Sequence, residues 1–175
     1  FNEILFSHFR GMTEDRIDVL SREIFDEIIK PAIFPGAKDL IRQCKEAGFK
    51  VVIITGSLDC TTRFVAEHIG ADYFIANRLE FKDRIATGKM LHPLVAGPEK
   101  AKIMVDDAQK NGYDLKKCHA YSDSFSDVPM LSVVGHAFCI NPSKKLRQLA
   151  QAYRWPILDI NREPPASFRQ SHKEY

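Results

Sequence analysis

The chain has 175 residues, 45% apolar and 27% charged, with nine glycines and nine prolines; this make-up is average for a globular domain and excludes disordered, collagen-like and disulfide-scaffold classes. Its 25 Lys and Arg against 23 Asp and Glu leave a formal net charge of +2, too near neutrality to point to nucleic acid or an anionic membrane as a partner. Cys44, Cys60, Cys118 and Cys139 form no CxxC pair and read as free thiols of a reducing compartment, and no apolar run approaches the about 18 residues of a spanning helix.

In chain order, the opening FNEILFSHF mixes apolar and polar residues like the middle of a helix and does not start with Met, so a preceding segment is expected. The spacing then predicts a helix with Thr13 as N-cap, Glu14 and Asp15 in its first turn and Ile17, Leu20, Ile24, Phe25 and Ile28 on one face, stopped by Pro31 and Pro35. A helix over Ala37–Ala47 ends at Gly48, and KVVII follows, apolar on both faces as in a buried parallel strand. The alternation continues with helix Asp59–Ile69 closed by Gly70, strand DYFIA, helix Pro98–Asn111 closed by Gly112, and a strand near KCHAYS. Helix Val128–Val134, strand HAFCI, helix Pro142–Arg154 and strand WPILDI complete it. Strands alternating with helices predict an α/β fold with a doubly wound parallel sheet. LEFKDRIATGKML, over Leu79–Leu91, interrupts the alternation and reads as an appended hairpin. The polar tail 161–175 is expected to fray.

Ligands of such folds sit beyond the carboxyl ends of the strands. After KVVII come Thr55, Gly56 and Ser57: a hydroxyl and an unobstructed amide can donate to one oxyanion, while the same tripeptide can be a capped turn with Ser57 or Asp59 as N-cap. After KCHAY comes SDSFSD, in which Asp123 and Asp127 can converge on a hard cation such as Mg²⁺, or can cap and charge the next helix start. Lys100 opposes the helix dipole in the first turn after Gly97 and Pro98, so its charge suits a phosphoryl group or a carboxylate, or else it is an ordinary surface lysine. His119, Phe138 and Trp155 read as packing residues without chemistry.

Hydroxyl-Gly, then Lys at a helix start, then DxxxD after a strand resembles motifs two, three and four of the haloacid dehalogenase superfamily. The resemblance is closest to its phosphoserine-phosphatase-like branch, subfamily IB, through VVIITGS, ADYFIANRLEF with RIATG, GPEKAKI, YSDSFSDVPML and INPSKKLRQLAQAYRWPILD. It implies a Rossmann-like core over residues 35–160, preceded by the later part of a small helical cap over 1–34. It implies that Thr55, Gly56 and Ser57 bind phosphoryl oxygens, that Lys100 steadies the phosphoryl group and the nucleophile, and that Asp123 ligates Mg²⁺ with support from Asp127. The expected partner is a small phosphorylated metabolite, and the expected location is intracellular, soluble and cytoplasmic.

The family's first motif, DxDx[TV], has no match in the chain, and no two aspartates stand two positions apart. The resemblance therefore implies an N-terminally incomplete core without its first strand, whose nucleophile lies in a missing preceding segment and which is inactive as it stands. Ser126 occupies a position where many relatives carry asparagine. The expected function is hydrolysis of a small phosphomonoester through an aspartyl-phosphate. Phosphoserine is the second substrate, because Leu5 falls near the position of a substrate-carboxylate arginine, with Arg10 the only nearby substitute. A non-catalytic binding module of the same fold is the reading from another class.

Overall fold

The computed structural model describes residues 6–160; the expectations placed on Phe1–Leu5, Leu5 among them, and on the tail 161–175 lie outside the described residues. The described chain falls into two compact units that divide between Leu94 and Val95. No helix among the described residues is long and apolar enough to cross a membrane.

The first unit begins with a 3-10 turn, Ser7–Phe9, in place of the expected mid-helix, and turns at Gly11. Helix α1, Glu14–Ile24, starts where Thr13 predicts: the Thr13 hydroxyl accepts from the Arg16 amide at 3.2 Å, and Glu14 and Asp15 occupy the positive end of the helix. Two expectations for this helix are corrected. Pro31 does not stop it, because a π-helical segment, Phe25–Ile29, runs into a last turn, Lys30–Ala32, that contains the proline; a widened turn accommodates a residue with no amide hydrogen and a bulky ring. The apolar face is also narrower than expected: Ile17 and Phe25 are buried as predicted and Leu20 is half-buried, but Ile24 and Ile28 are not on it. Ile17, Ser21 and Phe25 are buried along an i, i+4, i+8 diagonal, whereas Ile24 and Ile28 are 41% and 50% exposed. The diagonal wins because Phe25 packs on Phe64 (ring centroids 5.9 Å) and His68 (5.6 Å) of the helix that covers it.

Helix α2, Pro35–Glu46, carries proline at its start, where the missing amide costs nothing. Strand β1, Val52–Leu58, helix α3, Asp59–Ile69, and strand β2, Tyr73–Asn77, form a βαβ unit with parallel pairing of Val52 with Tyr73, Ile53 with Phe74 and Ile54 with Ile75. Asp72 ties its base: Val51 N–H donates to its carboxylate at 2.8 Å, which, ahead of the charges of Lys45 and Lys50, holds the carboxyl below the usual range. KVVII was expected to be buried, yet Val52–Thr55 are half-buried. β1 and β2 form a sheet of two strands, so each is an edge.

The hairpin appears as expected: β3, Leu79–Lys82, pairs antiparallel with β4, Ile85–Met90. Its two turn residues, Asp83 and Arg84, both have positive φ (52° and 63°), the mirror-image turn that suits strand twist, here made without glycine. The segment leading into α1 is stitched to this hairpin by Gly11 N–H to Ala86 O (2.9 Å), Ala86 N–H to Met12 O (2.8 Å) and Glu14 N–H to Arg84 O (3.0 Å). Ile17, Leu58, Leu79 and Ala86 form the core beneath, with Phe6, Phe9 and Met12 packed on it.

In the second unit, helix α4, Pro98–Asn111, closes at Gly112 in the left-handed conformation, and strand β5, His119–Ser122, follows. A 3-10 turn, Phe125–Asp127, leads into helix α5, Val128–Leu131, shorter than the expected Val128–Val134. Strand β6 is His136–Ile140, the whole of HAFCI; helix α6, Lys144–Tyr153, is capped by the Ser143 hydroxyl, and strand β7 retains only Ile157–Leu158 of WPILDI. The strands pair parallel in the order β5-β6-β7. Gly135 admits no side chain, because a Cβ there would overlap the Lys116 carbonyl oxygen. One face of this sheet presents Ala120, Ala137 and Cys139 to Leu131, Leu146 and Ala150, with Trp155 packed against them. The other face is an aromatic ladder in which Phe138 stacks on Tyr121 (4.9 Å) and lies against His119 (5.3 Å), so His119, Phe138 and Trp155 are packing residues. The α/β class with parallel strands stands, but the single expected sheet is two parallel sheets plus the hairpin among the described residues.

Candidate active site

Both groups of candidate residues lie at the carboxyl ends of edge strands. Thr55, Gly56 and Ser57 were expected in a turn after β1. They instead continue the strand as an irregularity: pairing with β2 stops at Ile54–Ile75 and resumes at Leu58–Asn77, so three residues of β1 face only Ala76. The N-cap expectation is corrected with it. Helix α3 begins at Asp59 after Leu58, which offers no side-chain cap, and Asp59 accepts instead from the adjacent Cys60 amide at 2.7 Å. Thr55 Oγ accepts from the Ser57 amide at 3.1 Å, which leaves the hydroxyl proton of Thr55 to donate elsewhere. The Gly56 carbonyl accepts from Asn77 Nδ2 at 2.7 Å. Gly56 and Ser57 are exposed, while Leu58 anchors the segment in the core. With the Ser57 amide spent on Thr55 Oγ, the neutral donors suited to an anion are the Thr55 hydroxyl and the Gly56 amide.

The second group is charged and closed. Lys100, in the first turn of α4, places its ammonium 2.8 Å from Asp127 Oδ1, and the two side chains are only 15% and 10% exposed. The other oxygen, Oδ2, accepts from Ser122 Oγ at 2.8 Å. That hydroxyl also accepts from Ser124 N–H at 3.0 Å, which curls the loop back onto the end of β5. Ser124 Oγ lies 2.8 Å from Ser126 Oγ, so Ser126 bonds within the loop and not to a carboxylate. Asp123 is different. Its carbonyl accepts from Ser143 N–H at 2.9 Å, and its exposed carboxylate has no hydrogen bond or ion pair among the described residues.

The two carboxylates thus fit a hard cation unequally. Asp123 offers unengaged oxygen donors of the kind Mg²⁺ takes together with several waters, whereas Asp127 spends both oxygens on Lys100 and Ser122. Among the described residues no group of three or more His, Cys, Asp or Glu forms a ready cage. The structure therefore joins Lys100, Asp127 and Asp123 in one loop system of the second unit and gathers Thr55, Gly56 and Ser57 in the first. Sequence reasoning missed Asn77 and Ser122. Ser122 had a signal, a hydroxyl directly before Asp123, while Asn77 had only its position at a strand end.

Comparison with protein families matches residues 1–132 to the haloacid dehalogenase-like hydrolases. The "Inhibition of morphological differentiation protein" of Streptomyces azureus is 38% identical over 154 residues, 87% of this chain and 55% of that protein. Phosphoserine phosphatase SerB1 of Mycobacterium tuberculosis is 37% identical over 150 residues, 86% of this chain and 49% of that one. A solved structure from Bordetella pertussis Tohama I, of a protein with unknown function, superposes with a TM-score of 0.83 at 25% identity, covering 90% of this chain and 72% of that one. The chain spans about half the length of the curated relatives it matches. The matched segment contains the hydroxyl-glycine strand end, the lysine of α4 and both carboxylates of the β5 loop, and with them the chain belongs to the haloacid dehalogenase-like hydrolase family.

Proposed function

We propose that the protein is a Mg²⁺-dependent phosphomonoester hydrolase working through an aspartyl-phosphate, with the attacking aspartate in sequence that precedes Phe1. The observation that carries the reading is the part-buried ion pair of Lys100 with Asp127, in the same loop as the exposed carboxylate of Asp123. A largely covered lysine is costly unless it is paired, and the neighbouring exposed carboxylate keeps its oxygens available to a cation. Support for an upstream nucleophile comes from the absence of any DxD in the chain.

In this reading the Thr55 hydroxyl and the Gly56 amide donate to the phosphoryl oxygens, and the Lys100 ammonium neutralises charge as the phosphoryl group transfers. Asp127 keeps that ammonium in place and Ser122 keeps Asp127 in place. Asp123 would hold Mg²⁺, which supplies further charge neutralisation when bound. The carboxylate preceding Phe1 attacks phosphorus, the ester oxygen departs, and water then cleaves the acyl-phosphate.

A generic small phosphomonoester leads as substrate. Arg10, the candidate carboxylate holder, donates Nε to the Thr87 carbonyl at 3.2 Å and lies against Gly88 of the hairpin. Phosphoserine is the second reading, favoured by the name of the SerB1 relative. The test is phosphate release from p-nitrophenyl phosphate by the full-length protein, with phosphoserine as the competing substrate. Activity should need Mg²⁺ and vanish in Asp123→Asn, and residues 1–175 alone should show no turnover. Equal activity of Asp123→Asn overturns the metal assignment, turnover by 1–175 places the nucleophile within this chain, and an inert full-length protein favours the binding module.

A further inference from the structure

We propose that Asn77 is a positioning residue of the phosphoryl-binding segment, aiming the Thr55 hydroxyl through the peptide plane that joins Gly56 to Ser57. The inference rests on the reading of Thr55 and Gly56 as phosphoryl donors. The Gly56 carbonyl and the Ser57 N–H belong to one planar unit. Asn77 Nδ2 holds its carbonyl end at 2.7 Å, and its N–H end donates to Thr55 Oγ at 3.1 Å. Because the plane is rigid, fixing the carbonyl fixes the direction from which the N–H approaches the hydroxyl oxygen. That occupies one lone pair of Thr55 and turns its proton outward.

Asn77 can do this because it does not move. It is 2% exposed, and it is the β2 residue at which parallel pairing resumes, opposite Leu58. The segment it controls is the part of β1 that the ladder does not hold, since pairing lapses over Thr55–Ser57. A side chain rooted in regular strand thus supplies the hydrogen bond that the irregular stretch lacks. Losing this bond would release the Gly56 carbonyl from β2 and free the peptide plane to turn.

The test uses the ¹⁵N-labelled full-length protein titrated with inorganic phosphate and followed at the Gly56 and Ser57 amides. Asn77→Ala and the similarly sized Asn77→Leu are compared with wild type, and circular dichroism reports that each is folded. About tenfold weaker phosphate binding is expected in both, the loss of one well-placed hydrogen bond. Thr55→Val should weaken binding as well, and Asn77→Ala added to Thr55→Val should cost nothing further, because its effect passes through that hydroxyl. Unchanged affinity in the Asn77 variants, or full additivity with Thr55→Val, overturns the positioning role and leaves the phosphoryl reading standing. Wild-type amides that ignore phosphate while the fold is intact overturn the phosphoryl reading and the inference with it. Should both variants fail to fold, Asn77→Ser, polar but too short to reach the Gly56 carbonyl, is titrated in their place: unchanged phosphate affinity, or full additivity with Thr55→Val, overturns the inference, and weaker binding that vanishes in the Thr55→Val background upholds it.

Discussion

The end of β1 and the end of β5 solve the same problem, presenting polar groups beyond a parallel strand, with opposite materials. At β1 the groups are neutral, a hydroxyl and backbone amides, and the segment stays exposed because uncharged donors lose little by facing water. At β5 the groups are charged and Asp127 is buried, so each of its oxygens has a partner, Lys100 on one side and Ser122 on the other. The neutral site is held by a single buried side chain acting on the backbone, whereas the charged site is a network in which loss of one member strands another. The first should therefore fail gradually and the second abruptly.

Three substitutions or conditions break or sharpen this contrast. The largest effect is expected from Asp127→Ala, which leaves the Lys100 ammonium buried without its counter-charge. A loss of about 3 kcal/mol in unfolding free energy by denaturant titration is expected, along with loss of full-length activity. The double variant Lys100→Met with Asp127→Leu should recover most of that stability and none of the activity. Ser122→Ala comes next: it removes one partner of a carboxylate that keeps its ion pair, so about 1 kcal/mol of stability and roughly tenfold in activity are expected to go, read by the same titration and by kcat.

The smallest effect is on pH dependence, and it separates the units by mechanism. His68 in α3 is pushed below its ordinary value by burial first and then by Lys38 and Lys30; His119 in β5 is pushed down by burial and then by His136. In both cases the unfolded chain binds a proton at a pH where the folded one does not. Stability is therefore full above about pH 6.5 and falls as the pH drops below it. His119→Phe and His68→Phe should each flatten thermal unfolding temperature against pH between about 5 and 6.5. Added salt should shrink the His68 contribution, which is partly repulsion from exposed cations, and leave that of His119 nearly unchanged.

The parts legible in sequence are those punctuated locally. Helix α4 begins at Pro98 after Gly97 and ends at Gly112, β6 coincides with HAFCI, and Thr13 caps α1, because each signal lies within a few residues of the boundary that it sets. The misreadings all have distant causes. The buried face of α1 follows Phe64 and His68, which lie some forty residues away in the chain. Nothing local to Thr55–Ser57 announces that pairing resumes at Leu58, so the sequence allows a strand end and a capped turn alike. Asn77 escaped notice because its partner, Gly56, stands 21 residues earlier. Ser122 was visible in SDSFSD, yet its hydroxyl matters only after the loop curls to bring Asp127 within reach. Charged site residues could be singled out by type, while the residues that aim them could not.

The hairpin tip carries a consequence for how this chain can change over generations. Turn geometry alone would favour glycine at the second turn position, where Arg84 stands with φ of 63°. Yet Arg84 reaches Glu14 at 3.1 Å and Asp15 at 2.9 Å, and its carbonyl receives the Glu14 amide. A change to glycine would ease the turn and remove only the two exposed ion pairs, since the bond from Glu14 N–H to the carbonyl of position 84 is a backbone bond that glycine also makes. Position 84 can therefore change to glycine at little cost, because the backbone bonds between the hairpin and the segment before α1, more than the exposed ion pairs, hold the two together.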